Sequence, residues 1–224
     1  MTRNEIHQGV HQGQAAVAAG QPLREADAAV VMVHGRGASA ESILTLADEL
    51  GRPELAYVAP QAAGSTWYPY SFMAPIERNE PYLSSALEVL EGLLAKLEAE
   101  GVPAERTVLL GFSQGACLTL EFAARHAKRY AGLVALSGGL IGPPGPPREY
   151  EGSFDGTPVF LGCSDRDPHI PEERVHESAE IARRMGAQVT ERIYPGMGHT
   201  VNEDELSWVR DLLGSLVRSP ASRP

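Results

Sequence analysis

Short apolar runs alternate along the chain with longer stretches whose apolar residues recur every three or four positions. Residues 28–33, Ala-Ala-Val-Val-Met-Val, read as a strand buried on both faces. In 41–50, Ile43, Leu44, Leu46 and Leu50 share one helical face, and Gly51 stands where a left-handed cap is wanted. A short strand at 55–59 stops at Pro60. The next helix opens with Asn79 as its N-cap and Pro81 in the first turn, then runs through Leu83, Leu87, Leu90, Leu94 and Leu97 to Gly101. Strands at 107–112, 132–137, 158–162 and 189–194 alternate with helices at 114–127, 172–185 and 203–217. Two segments keep no period: 60–79, and the Gly- and Pro-rich 138–156. Residues 1–20 read as a polar N-terminal arm and 219–224 as an unanchored tail.

This alternation predicts an α/β architecture, a mostly parallel sheet with helices on both faces, in one domain over 1–224. Neither aperiodic segment is long enough for a folded cap; each is at most a short flap. Active groups in such sheets stand on loops leaving the carboxyl ends of the strands. The search for chemistry therefore narrows to the loops after Val33, Ala59, Phe112, Ser137, Gly162 and Tyr194.

Composition trims the remaining classes. The 224 residues carry 19 Lys and Arg against 29 Asp and Glu, and a net charge of −10 opposes binding to nucleic acid. No apolar run approaches the roughly 18–20 residues of a membrane helix, so no integral membrane association is expected. The first residues lack an apolar signal segment, which gives a cytoplasmic expectation. The two cysteines, Cys117 and Cys163, sit in or beside apolar segments and read as reduced core thiols. No CxxC occurs, and neither a metal nor a cofactor is expected.

The sharpest chemical signal is Gly111-Phe112-Ser113-Gln114-Gly115, set between a strand and an amphipathic helix. A serine at such a turn is lifted clear of the sheet, while the flanking glycines let strand and helix approach. The backbone N–H of Gln114 then points at any oxyanion formed beside Ser113. A base is expected downstream. Of the seven histidines, His199 has the right chain order and lies in a glycine-flanked loop before the last helix. The loop after 158–162 offers two carboxylates. Pro168 favours Asp167 as the orienting acid, whereas Asp165 suits a turn that accepts backbone N–H groups. The turn His34-Gly35-Arg36-Gly37 supplies a second oxyanion donor in the Arg36 N–H, with His34 as a ring hydrogen-bonded inside its loop.

Together with Ala59-Pro60-Gln61, Trp67-Tyr68, Asp167-Pro168-His169-Ile170-Pro171 and Tyr194-Pro195-Gly196-Met197-Gly198-His199, these motifs resemble the phospholipase/carboxylesterase family over roughly residues 28–215. The resemblance implies an α/β-hydrolase fold, no metal and no cofactor. It implies Ser113, Asp167 and His199 as nucleophile, acid and base, and the backbones of Arg36 and Gln114 as oxyanion donors. The stretch 141–148 has no strong correspondence.

The expected reaction is hydrolysis of small to medium carboxylic esters through an acyl-enzyme, with a small-molecule ester as the substrate. An acyl-protein thioesterase or lysophospholipase would use the same groups, and a silent fold used for binding is the reading from another class. Trp67, Tyr68, Tyr70 and Phe72, in an aperiodic segment at the active edge, are candidates for the substrate wall, with Leu140, Ile170 and Met197 on neighbouring loops. The chain could be a monomer or a homodimer.

Overall fold

A computed structural model describes residues 9–145 and 148–217; the expected tail at 219–224 lies outside them. Seven strands form one sheet: β1 (Ala16–Gly20), β2 (Ala29–Val33), β3 (Ala56–Pro60), β4 (Thr107–Phe112), β5 (Gly132–Leu136), β6 (Pro158–Ser164) and β7 (Gln188–Tyr194). Their order is β1-β3-β2-β4-β5-β6-β7. Every pair is parallel except β1 with β3. The helices are α1 (Ala40–Leu50), α2 (Tyr82–Ala99), α3 (Gln114–Arg125), α4 (Glu172–Arg184) and α5 (Glu203–Leu216).

Parallel neighbours require crossover helices, and these bury both faces of the sheet. Successive residues of a strand therefore enter different cores. Val31 and Val33 pack with Leu109, Leu133 and Leu161 beneath Leu90 of α2, Leu118 of α3 and Val175 of α4. Val30 and Met32 pack with Leu110, Val134 and Phe160 against Leu44 of α1 and Val209 of α5. This double burial is why β2, β4 and β5 appear in the sequence as unbroken apolar runs.

Two expectations need correction. The N-terminal arm is not polar solvent-facing chain throughout: residues 16–20 form β1, and His11 is buried, 1% exposed. β1 is an edge strand of small residues that stays mostly exposed, so no alternation announced it. Asn79 is not the cap of α2, where Pro81 stands instead. Its buried amide accepts from the Tyr70 N–H (2.9 Å) and donates to the Ser71 carbonyl (3.0 Å). An inward-turned loop needs partners for its backbone groups, and one carboxamide supplies both kinds.

Segment 138–156 is pinned to α3 by the buried carboxylate of Glu121. Glu121 accepts from the Ile141 N–H (3.0 Å) and the Tyr150 hydroxyl (2.9 Å), and pairs with Arg125 and Arg148. The Gly142 N–H donates to the Phe72 carbonyl (2.7 Å), joining this segment to 60–79.

Candidate active site

The turn from β4 into α3 places Ser113 at φ +56° and ψ −121°, a backbone region that side chains rarely occupy. Close packing forces it. A Cβ on Gly111 would stand 2.4 Å from the Gly115 backbone, and one on Gly115 would stand 2.1 Å from the Val33 carbonyl oxygen. Only glycine lets α3 settle this closely on β4 and β2.

The Ser113 hydroxyl lies 2.8 Å from His199 Nε2, and His199 Nδ1 lies 2.6 Å from Asp167 Oδ2. An ionised carboxylate only accepts, so Nδ1 carries the proton and Nε2 accepts from the serine. Asp167 Oδ1 accepts from the N–H groups of His169 (2.8 Å) and Ile170 (3.1 Å), and the Cys163 thiol approaches Oδ2 at 3.7 Å. Burial alone would raise the Asp167 carboxyl. The His199 bond and the two backbone N–H bonds outweigh burial and hold its pKa below the ordinary value.

The loop bearing His199 is held by two side chains at the end of β6. Asp165 accepts from the Gly196 N–H (2.7 Å) and Ser164 Oγ from the Gly198 N–H (3.1 Å). At its far end Asn202 and Glu205 cap α5 reciprocally. Phe112 and His169 flank the His199 ring, at centroid distances of 5.1 and 4.9 Å.

Ser113 and His199 open onto a cleft of about 510 Å³ that Arg36 and Gln114 also line. The first N–H groups of a helix have no partner within it, so α3 directs that of Gln114 outward. The side chains of both residues bind the neighbouring aromatic loop. The Arg36 guanidinium donates to the carbonyls of Tyr68 (2.8 Å), Pro69 (3.0 Å) and Tyr70 (2.8 Å), and Gln114 Nε2 donates to that of Tyr68 (2.8 Å). The His34 ring bonds to Gly35 O within its own loop and reaches the loop after β3, where Nε2 accepts from the Ala62 N–H.

Of the expected wall residues, Tyr68, Tyr70, Phe72 and Ile170 line the cleft. Trp67 does not. It is fully buried between the rings of His11 and His34, and its indole N–H donates to the His34 carbonyl (2.9 Å). The indole has its polar partner inside the fold, and Tyr68, which borders the cleft, is itself buried at 1% exposure, so the loop turns both aromatics inward. Leu140 is buried beside Phe154 and Ile181, around a separate small cavity. Met197 turns back along its loop, its sulfur 2.8 Å from Asn202 Nδ2.

Phe112, Cys117 and His169, which the sequence did not single out for the wall, also line the cleft. Cys117 was legible in principle, because it lies one helical turn beyond Ser113 and so shares its face. Its thiol is pushed up to about 12 by burial, which makes it a packing group and no nucleophile. Among the described residues no cluster of His, Cys, Asp and Glu could hold a metal ion, and no helix is long and apolar enough to cross a membrane.

Residues 13–216 match a family model described as phospholipase/carboxylesterase. The crystal structure of a phospholipase/carboxylesterase from Dyadobacter fermentans is 46% identical, with a TM-score of 0.86 over 89% of this chain and 96% of that one. Acyl-protein thioesterase 1 of Neurospora crassa is 34% identical over 127 residues, 54% of this chain and 50% of that protein. A probable carboxylesterase of Arabidopsis thaliana, described as SOBER1-like, is 23% identical over 145 residues, 65% of this chain and 55% of that protein. The chain thus spans about half the length of the curated relatives it matches.

Proposed function

The chain belongs to the phospholipase/carboxylesterase family and has the α/β-hydrolase fold, and from that premise we propose that it hydrolyses small to medium carboxylic esters as a single-domain serine hydrolase. The observation that carries the reading is the continuous contact from Ser113 through His199 to Asp167 at the floor of an open, largely apolar cleft.

In this mechanism His199 Nε2 takes the hydroxyl proton as Ser113 Oγ attacks the ester carbonyl. The backbone N–H groups of Arg36 and Gln114 hold the oxyanion. His199 returns the proton to the leaving alcohol, and water repeats the sequence on the acyl-enzyme. Asp167 keeps the ring in one tautomer and stabilises the imidazolium. Tyr68, Phe72 and Ile170 cover the apolar part of the substrate.

The test is covalent labelling with a fluorophosphonate, run beside a p-nitrophenyl ester series. Labelling of the parent and none of Ser113→Ala supports the reading; equal turnover by the two ends it. Similarity to proteins named acyl-protein thioesterase favours a second reading, cleavage of acyl thioesters by the same groups. An acyl thioester in the same assay decides between the two.

A further inference from the structure

His11 lies before β1, outside the residues 13–216 that match the family, yet it is among the most buried polar residues of the chain. Its Nδ1 accepts from the Ala63 N–H (3.1 Å), and its Nε2 lies 2.9 Å from the Trp67 carbonyl oxygen. An amide N–H can only donate and a carbonyl can only accept. The ring is therefore neutral, with its single proton on Nε2 and donated to Trp67. Burial, only partly opposed by bonds to the Trp67 and Tyr82 backbones, lowers its pKa and keeps it in that form.

The segment is strapped down on both sides. The His11 N–H donates to Ser85 Oγ on α2 (2.9 Å), Ser85 donates to Gln12 Oε1 (2.8 Å), and Gln12 Nε2 donates to Glu88 (3.0 Å). The ring itself packs edge-on against Trp67 (5.5 Å) and Tyr82 (5.9 Å).

Trp67 is consequently gripped at both ends. His11 holds its carbonyl, while its N–H donates to Gln114 Oε1 (2.9 Å). The same Gln114 carboxamide returns a bond to the next carbonyl, that of Tyr68 (2.8 Å). We infer that His11 is a positioning residue for the hydrolytic centre: its Nε2–H fixes the Trp67 carbonyl, and Trp67 in turn fixes Gln114, whose backbone N–H holds the oxyanion. The inference rests on the proposed role of Gln114. It assigns the N-terminal segment a part in transition-state geometry that the family match does not reach.

Three substitutions separate the bonds of one ring. His11→Gln places an amide N–H where Nε2 stands and can reach Trp67. His11→Asn places an amide oxygen where Nδ1 stands and can serve only Ala63. His11→Phe keeps the packing and serves neither. With p-nitrophenyl butyrate, His11→Phe and His11→Asn should lose at least about tenfold in kcat with KM within about threefold, because an oxyanion donor acts in the transition state. His11→Gln should stay within about threefold of the parent.

A second readout needs no activity. The chain has two tryptophans, so Trp208→Phe leaves Trp67 alone. In that background acrylamide quenching should rise for the Phe and Asn variants and stay at the parent level for Gln.

Equal behaviour of Gln and Asn, parental kcat in all three, a loss confined to KM, or failure of all three to fold would each overturn the inference and leave His11 a core residue. If only His11→Phe fails to fold, the Gln and Asn pair decides. Full activity in Ser113→Ala would instead remove the serine-hydrolase reading, and the quenching pattern would still report whether His11 fixes Trp67.

Discussion

Glu205 is the most exacting test of the energetics around the His199 loop. It lies in the first turn of α5, fully buried, with one carboxylate oxygen accepting the Asn202 N–H (2.9 Å) and the other without a hydrogen-bond partner. That second oxygen faces β6 so closely that a Cβ on Gly162 would meet it at 2.0 Å. Burial pushes the carboxyl from its ordinary 4.5 up to about 7. A raised carboxyl favours the protonated folded state. Its contribution is complete below pH 4.5 and is lost as pH rises through about 7. At about 1.4 kcal/mol per pH unit, the whole effect is roughly 3 kcal/mol.

Glu205→Gln removes the titration and keeps an oxygen for Asn202. The stability of the variant minus that of the parent should therefore grow from pH 4.5 and level off above pH 8. For a chain of this size 1 kcal/mol moves Tm by about 2–4 °C, so the difference should widen by roughly 6–12 °C. Thermal melts of both proteins across that range check it, and every other titrating group cancels in the difference. A constant offset would refute the reasoning, because it would mean that the buried oxygen finds a partner or solvent when ionised.

Asp167→Asn should lower kcat by roughly 10³–10⁴-fold by admitting the wrong His199 tautomer. Asp165→Asn, which can still accept from Gly196, should cost about 1 kcal/mol of stability and less than about tenfold in activity; purified variants assayed side by side would expose a wrong assignment if the order reversed. Trp67→Ala, at a fully buried site, should cost roughly 3–5 kcal/mol and depress acetate and longer esters alike, whereas a selective loss on long chains would put the indole back in the substrate cleft. His11 and His34 both have lowered pKa values, mainly through burial, so the stability they support is complete above about 6.5 and lost as pH falls below it. Urea unfolding at pH 5 and 7 should show a smaller drop for His11→Gln than for the parent, and equal drops would contradict a neutral buried ring.

The alternation of apolar runs and amphipathic stretches was enough for the central strands and the helices, because burial on both faces writes itself into consecutive residues. The turn at Ser113 was legible for a related reason: only glycine tolerates the approach of α3 to β4 and β2, so backbone geometry constrains residue identity within five positions. Chain order then singled out His199, and Pro168 favoured Asp167. What the sequence could not decide was direction. Trp67 and Tyr68 are adjacent aromatics in an aperiodic loop, and which one borders the cleft depends on partners far along the chain: His34, Gln114 and His11. β1 and Asn79 escaped in the same way, the one an exposed edge with no pattern to bury, the other a buried amide answering a loop that only the folded chain brings to it. Local spacing carries information wherever a regular element meets a core. In an irregular loop each side chain's orientation is set by distant hydrogen bonds, and those exist only once the tertiary structure has formed.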